Sequence, residues 1–167
     1  MKYSMFYQSP GGNTKLLADT FEAYLKEAGA EKVEKAEDAD LVFVGFWTEQ
    51  GDANKGVREY MRTLRDRKVF LFGTAGFGDS QTYFDGILEK AEDSLTDSNE
   101  IVGRFMCQGK MPEAFRDKYE ADKKEIAYQG PHYDLMITNF DKALSHPDET
   151  DLENAKKAAA AAAAKFI

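Results

Sequence analysis

The sequence predicts an α/β fold, a doubly wound parallel sheet of five strands with helices on both faces. Three observations carry that expectation. Strand and helix patterns alternate along the chain. Leu41-Val42-Phe43-Val44-Gly45-Phe46 is apolar throughout, as a strand covered on both faces must be. Glycine-rich or hydroxyl-rich loops follow the first, third and fourth strands. Right-handed crossovers leave few strand orders, and 2-1-3-4-5 is the commonest at this length. In that order those three loops surround one crevice.

The first strand is Lys2–Tyr7. The first helix follows from Thr14 to Ala28, because Leu17, Phe21, Tyr24, Leu25 and Ala28 recur at helical spacing and Gly29 is a natural stop. Lys32–Ala36 reads as a weak second strand and Leu41–Phe46 as a strong third. Trp47–Asn54 reads as a loop, and the second helix carries Val57, Tyr60, Met61 and Leu64. Lys68–Gly73 is the fourth strand and Thr74–Thr82 its loop. The third helix holds Phe84, Ile87, Leu88, Ala91 and Leu95, and Ile101–Cys107 is the fifth strand. Pro112 suits the first turn of a fourth helix reaching Ile126. Gln129–His146 reads either as a short helix or as an irregular arm. The last helix runs from Asp151 to Lys165 with Asp148 or Thr150 as its cap, and the alanines Ala158–Ala164 give it high helix propensity and a small-residue face.

The chain has 167 residues, read as one domain over 1–167 with no repeat or linker. No apolar run is long enough to span a membrane, and no signal-peptide pattern opens the chain. A single cysteine, Cys107, excludes an internal disulfide and fits a cytoplasmic setting. Lys and Arg number 22 against 30 Asp and Glu, a net charge of -8. That balance argues against nucleic acid and for solubility or basic protein partners. His132 and His146 show no metal-ligand spacing, and Cys107 reads as a buried small side chain.

The chemistry lies in the three loops. Gln8-Ser9-Pro10-Gly11-Gly12-Asn13-Thr14 joins a strand to a helix N-terminus. Its backbone N–H groups around Gly11 and Gly12, the hydroxyls of Ser9 and Thr14 and the amide of Asn13 form a candidate phosphate site. It matches neither the Walker nor the dinucleotide spacing. A plain turn capped by Asn13 or Thr14 is the simpler alternative. In the second loop Trp47 stands at the carboxyl end of a buried strand, where an indole stacks on a flat ring or merely packs under the loop. Gly51 leaves a peptide there free to turn. The third loop offers Thr74, Gly76, Phe77, Gly78, Asp79 and Tyr83, with Asp79 or Ser80 also able to cap the next helix.

Together these loops resemble those of flavodoxins. Ser9-Pro10-Gly11-Gly12-Asn13-Thr14 is similar to the family's FMN phosphate loop. Gly45-Phe46-Trp47 with Gly51 resembles the loop whose tryptophan covers one flavin face, and Gly78-Asp79-Ser80 with Tyr83-Phe84-Asp85-Gly86 the loop that supplies the other aromatic. Pro10 and Gly11 replace two common threonines, so two hydroxyl contacts are missing. The third loop is shortened, leaving Phe77 first and Tyr83 second as the stacking candidates. Cys107-Gln108-Gly109-Lys110-Met111 with His146-Pro147-Asp148-Glu149 resembles a subgroup that accompanies bacterial reductases, a bilirubin reductase among them.

The resemblance implies the flavodoxin-like order 2-1-3-4-5, non-covalent FMN and single-electron transfer between redox partner proteins, a reductase and an acceptor enzyme, by a monomer without membrane or nucleic-acid partners. The acidic residues Glu49, Asp52, Asp79 and Asp85 in or beside the ring loops would oppose extra negative charge on a bound flavin and lower its potential. Two rivals stay open: an FMN-dependent NAD(P)H quinone or nitroreductase, and a flavodoxin-like partner protein that has lost FMN. A phosphoacceptor domain is excluded, because Tyr7-Gln8 and Phe46-Trp47 occupy the places of its acidic residues.

Overall fold

The computed structural model describes every residue of 1–167 except Asp79. The chain order is β1 (Lys2–Tyr7), α1 (Asn13–Glu27), β2 (Glu31–Lys32), β3 (Leu41–Glu49), β4 (Asp52–Ala53), α2 (Lys55–Met61), β5 (Lys68–Ala75), α3 (Gln81–Glu92), β6 (Glu100–Gln108), α4 (Glu113–Glu125), α5 (Gly130–Ala143) and α6 (Glu149–Ala163). The sheet order is β2-β1-β3-β5-β6, with every neighbouring pair parallel, and β4 pairs antiparallel to β3 off that path. The expected order is therefore present, with one short antiparallel strand added.

Alternation along the strands divides the core into two layers. Val42, Val44 and Phe46 of β3 join Val69 and Leu71 of β5 under α2 and α3, with Val57, Met61, Phe84 and Leu88. Leu41 and Phe43 join Phe70 and Phe72 under α1 and α6, with Leu17, Phe21, Ala159 and Ala163. Phe21 packs edge-on against Phe70 and Phe72, with ring centroids 5.3 and 4.8 Å apart. These residues are almost fully buried, which is the main term holding the domain together.

Three phenylalanines on this sheet lie directly opposite glycines of the neighbouring strand: Phe72 opposite Gly45, Phe46 opposite Gly73 and Phe70 opposite Gly103. A methyl group on Gly45 would come within 2.3 Å of the Phe72 ring, and one on Gly73 within 2.5 Å of Phe46. The glycines are thus the space into which the rings lie flat. Close packing of this kind lets large rings fill a thin layer without voids. The alanine face of α6 serves the same end, since Ala162 sits beside Gly103 and Ala155, Ala159 and Ala163 are fully buried.

The sequence expectations fail in two places and are decided in a third. The second strand is only Glu31–Lys32, and Ala36–Asp38 is a 3-10 turn; the segment sits at the sheet edge, where few apolar side chains fix an extended run. The expected loop at Trp47–Asn54 is a β-hairpin, described below. Of the two readings of Gln129–His146 the helix holds: α5 spans fourteen residues, Gly130–Ala143, opened by Pro131 in its first turn and lying antiparallel to α4. Asp148 caps α6 in a reciprocal capping box with Asp151. Cys107 is buried, and its thiol titrates well above the ordinary value because burial and then the nearby Asp151 and Asp148 carboxylates disfavour the thiolate.

Candidate functional site

The three loops meet at the carboxyl ends of β1, β3 and β5, and hydroxyl groups tie them together. Thr14 is fully buried in the first turn of α1. Its Oγ1 donates to the Phe46 carbonyl at 3.0 Å and lies 3.0 Å from Thr74 Oγ1, which must then be the donor of that pair. Thr48 Oγ1 donates to the Thr74 carbonyl at 2.8 Å. Thr14 and Thr74 therefore act between the loops, and their side chains hold the crevice in shape. Thr48 has no place among the sequence candidates.

The loop before α1 leaves part of its backbone donors open, while the Gly12 N–H donates to the Ser9 carbonyl at 3.4 Å. Gly12 stands at the N-cap with φ of 88°, a left-handed conformation that glycine adopts without strain. The N-cap residue, Gly12, supplies no side-chain cap to α1, and Ser9 supplies one instead. A side chain at Gly11 or Gly12 would meet nothing within 4 Å, so the outer face of the turn is clear. Ser9 Oγ accepts the Lys15 N–H at 2.9 Å, which leaves its own proton available to a ligand. Asn13 turns away: its Nδ2 donates to the Lys110 carbonyl at 2.8 Å, past the β6 end. The Lys15 ammonium, held up in pKa by its hydrogen bond to Asp19, pairs with that residue one turn on. The cradle thus consists of Ser9 and the N–H groups of a helix end, with a positive dipole and no committed cation.

The hairpin after β3 has the opposite character. Thr48 pairs with Ala53 and Glu49 with Asp52, and the two connecting residues, Gln50 and Gly51, have φ of 52° and 76°. Two left-handed residues make a type I′ turn, whose twist matches that of the strands. Asn54 clasps the base. Its backbone N–H reaches the Trp47 carbonyl at 3.0 Å, its Oδ1 accepts the Trp47 N–H at 3.3 Å, and its Nδ2 donates to Gln8 Oε1 at 2.7 Å. Strand alternation puts Trp47 on the α1 side of the sheet, half-buried, and the Glu49 carboxylate accepts the first N–H of α2 at 3.1 Å. Glu49 and Asp52 face one another across the pair, two like charges in one place.

In the loop after β5, Gly76 and Phe77 are half-buried. Gly78 has φ of 74° and lies against the ring of Tyr83, which is 39% exposed at the start of α3. Ser80 caps that helix by accepting the Tyr83 N–H at 3.2 Å. Asp79 lies outside the described residues. Asp85, one turn into α3, accepts a hydrogen bond from Gln81 at 2.8 Å. Gln8 and Asn54, which hold the first two loops together, were missed because their side chains act through contacts distant in sequence. Asn54 directly before a helix was the one available signal.

A family model described as a flavodoxin domain matches residues 4–160. The chain belongs to the flavodoxin family. A flavodoxin-like domain-containing protein, BilS, from Clostridium symbiosum (strain WAL-14163) is 34% identical over 173 residues, covering 91% of this chain and 90% of the relative. The protein of the same name from Clostridioides difficile (strain CD3) is 31% identical over 163 residues, covering 93% and 92%. The fold is also that of a flavodoxin from Streptococcus pneumoniae, at a TM-score of 0.60 and 17% identity over 99% of this chain and 100% of that one.

FMN is the cofactor of this family member. The residues present fit it in kind: a helix N-terminus with open N–H groups and clear space over Gly11 and Gly12 for the phosphate, and an indole with two further aromatics around the neighbouring strand ends for the ring. In general terms the protein is an FMN-binding electron-transfer flavoprotein. Among the described residues no helix is long and apolar enough to cross a membrane.

Proposed function

We propose that this flavodoxin-family domain carries electrons between redox proteins, a reductase on one side and an acceptor enzyme on the other, as a cytoplasmic monomer. The observation that carries the reading is the stitched crevice, in which loops from three strand ends are locked by Thr14, Thr48 and Thr74 around an open helix N-terminus. Bound FMN supplies the redox chemistry.

The chain's own residues set the terms of that chemistry. Ser9 and the N–H groups of Gly11, Asn13 and Thr14 hold the phosphate. Trp47 covers one face of the ring, with Phe77 ahead of Tyr83 for the other, since the Tyr83 ring is already laid on Gly78. Gly51, Gly76 and Gly78 line the ring edge. Glu49 and Asp52 at the hairpin, with the net charge of -8, oppose added negative charge and lower the potential. The same surplus of acidic groups favours partners with basic docking surfaces. The two BilS relatives, described as flavodoxin-like domain-containing proteins, support the carrier reading in general and name no partner.

The test is reduction kinetics of the FMN-loaded protein. A carrier exchanges electrons rapidly with a reductase and only slowly with free NADH or NADPH. Rapid multiple turnover with a nicotinamide and a quinone would make it an oxidoreductase in its own right.

A further inference from the structure

Residues 109–146 leave the sheet after β6, run out along α4 and return along α5. The two helices hold each other through Arg116, whose guanidinium reaches both carboxylate oxygens of Asp141 at 2.9 and 3.2 Å, and through Lys123 with Asp134. Among the described residues, the return helix hydrogen-bonds the candidate site at the carbonyl of Gly76 in the loop after β5. That carbonyl accepts Asn139 Nδ2 at 2.9 Å and Gln108 Nε2 at 3.1 Å. Gln108 Nε2 also lies 3.0 Å from Asn139 Oδ1, and Gln108 is 5% exposed. On its other side Gly76 abuts Met111, whose side chain would stand 2.4 Å from an added Cβ.

Gly76 is thus fixed from β6, from the approach to α4 and from α5 at once. A carbonyl that accepts two amide donors cannot swing away without losing both bonds and leaving Asn139 Nδ2 unpaired in a partly buried place, since Gln108 Nε2 keeps Asn139 Oδ1. In a planar trans peptide the N–H points opposite to the C=O, so the Phe77 N–H is directed away from α5. We propose that Asn139 is a positioning residue for the ring loop, and that through it the α4–α5 hairpin is coupled to cofactor binding. Binding of cofactor orders the hairpin, and by reciprocity whatever orders the hairpin tightens the site. The coupling rests on the reading that this crevice holds FMN; the clamp on Gly76 does not.

The experiment compares the full chain with Asn139→Ala, Asn139→Asp and, as a control on the same helix, the exposed Leu135→Ala. Asn139→Ser replaces the alanine variant if that variant does not fold. Amide hydrogen exchange is measured without and with FMN, and the FMN dissociation constant is read from flavin fluorescence. Without FMN, residues 75–78 should exchange about tenfold faster in both Asn139 variants and unchanged in Leu135→Ala, a loss of about 1.4 kcal/mol of local protection. The dissociation constant should rise about tenfold in Asn139→Ala and further in Asn139→Asp, which keeps the shape but replaces the donor with a charge against the carbonyl. FMN should slow exchange across 113–143 in the native chain and not in Asn139→Ala. Unchanged exchange at 75–78, or an Asp variant equal to the native chain, would overturn the positioning role and leave Asn139 with packing alone. Hairpin protection by FMN that survives in Asn139→Ala would overturn the coupling. A native chain that binds no FMN, while the variants still loosen 75–78, would remove the FMN reading and the coupling with it but keep the clamp.

Discussion

The loop after β1 and the hairpin after β3 lie side by side and treat their backbone groups in opposite ways. The first ends in a left-handed glycine with no side-chain cap of its own, so the N–H groups at the very start of the helix, Asn13 and Thr14, remain free. The second bonds both polar groups of Trp47 to Asn54 and closes on a type I′ turn. One end of the crevice is a receptor for an anion. The other is a stiff wall against which a flat ring is held. Affinity should therefore come chiefly from the phosphate end, and orientation and potential from the hairpin.

Substitutions can break this contrast one end at a time. Gly12→Asp should have the largest effect. It puts a carboxylate beside the open N–H groups, in a conformation Asp tolerates better than most residues. FMN affinity should fall by about a hundredfold or more, since two charges about 4 Å apart repel by several kcal/mol near a protein surface. Riboflavin affinity and apoprotein melting should change little, and both are read by fluorescence titration and calorimetry.

Asn54→Ala should act at the other end. It unpairs the Trp47 N–H and Gln8 in a place where Asn54 itself is 3% exposed. The expected cost is about 1–3 kcal/mol of stability, with FMN and riboflavin affinity weakened alike. A loss confined to FMN would assign Asn54 to the phosphate end instead. Gly51→Ala is milder: φ of 76° is strained for alanine although the space is clear, so about 1 kcal/mol and a few degrees of melting temperature are expected.

The smallest effect is remote from the site and serves as a control. The Asp151 N–H, ahead of other causes, holds the Asp148 carboxyl below the ordinary 3.8. A lowered value means that the cap on α6 is fully present above about pH 4 and lost as the pH falls through the folded value. Asp148→Asn should remove part of that acid dependence without altering FMN affinity, as pH-dependent melting would show.

The sheet order was legible because its central strands, β3 and β5, are buried on both faces and announce themselves by composition, as Leu41–Phe46 does. The shape of the site was only partly legible. Gly11 and Gly12 signalled an open turn, and Trp47 its place at a strand end. The roles of Thr14 and Thr74 as ties, and of Asn54 and Asn139 as clamps, depend on partners 32 to 63 residues away, or on a hairpin that β3 forms by running on past its apolar core. Gln50-Gly51 is a weak hairpin signal beside Asn-Gly, so the turn passed as a loop. The α5 helix was obscured because its apolar residues are split between a buried side, with Phe140 and Ala143, and the exposed Leu135.

The most direct test is the difference between FMN and riboflavin in the native apoprotein, titrated under one set of conditions. The two ligands share the ring and differ in the phosphate. Binding of FMN at least about tenfold tighter than riboflavin, about 1.4 kcal/mol or more, is the expected result, with the difference abolished by Gly12→Asp. Equal affinity for the two, or no binding of either, would contradict a phosphate held at the start of α1.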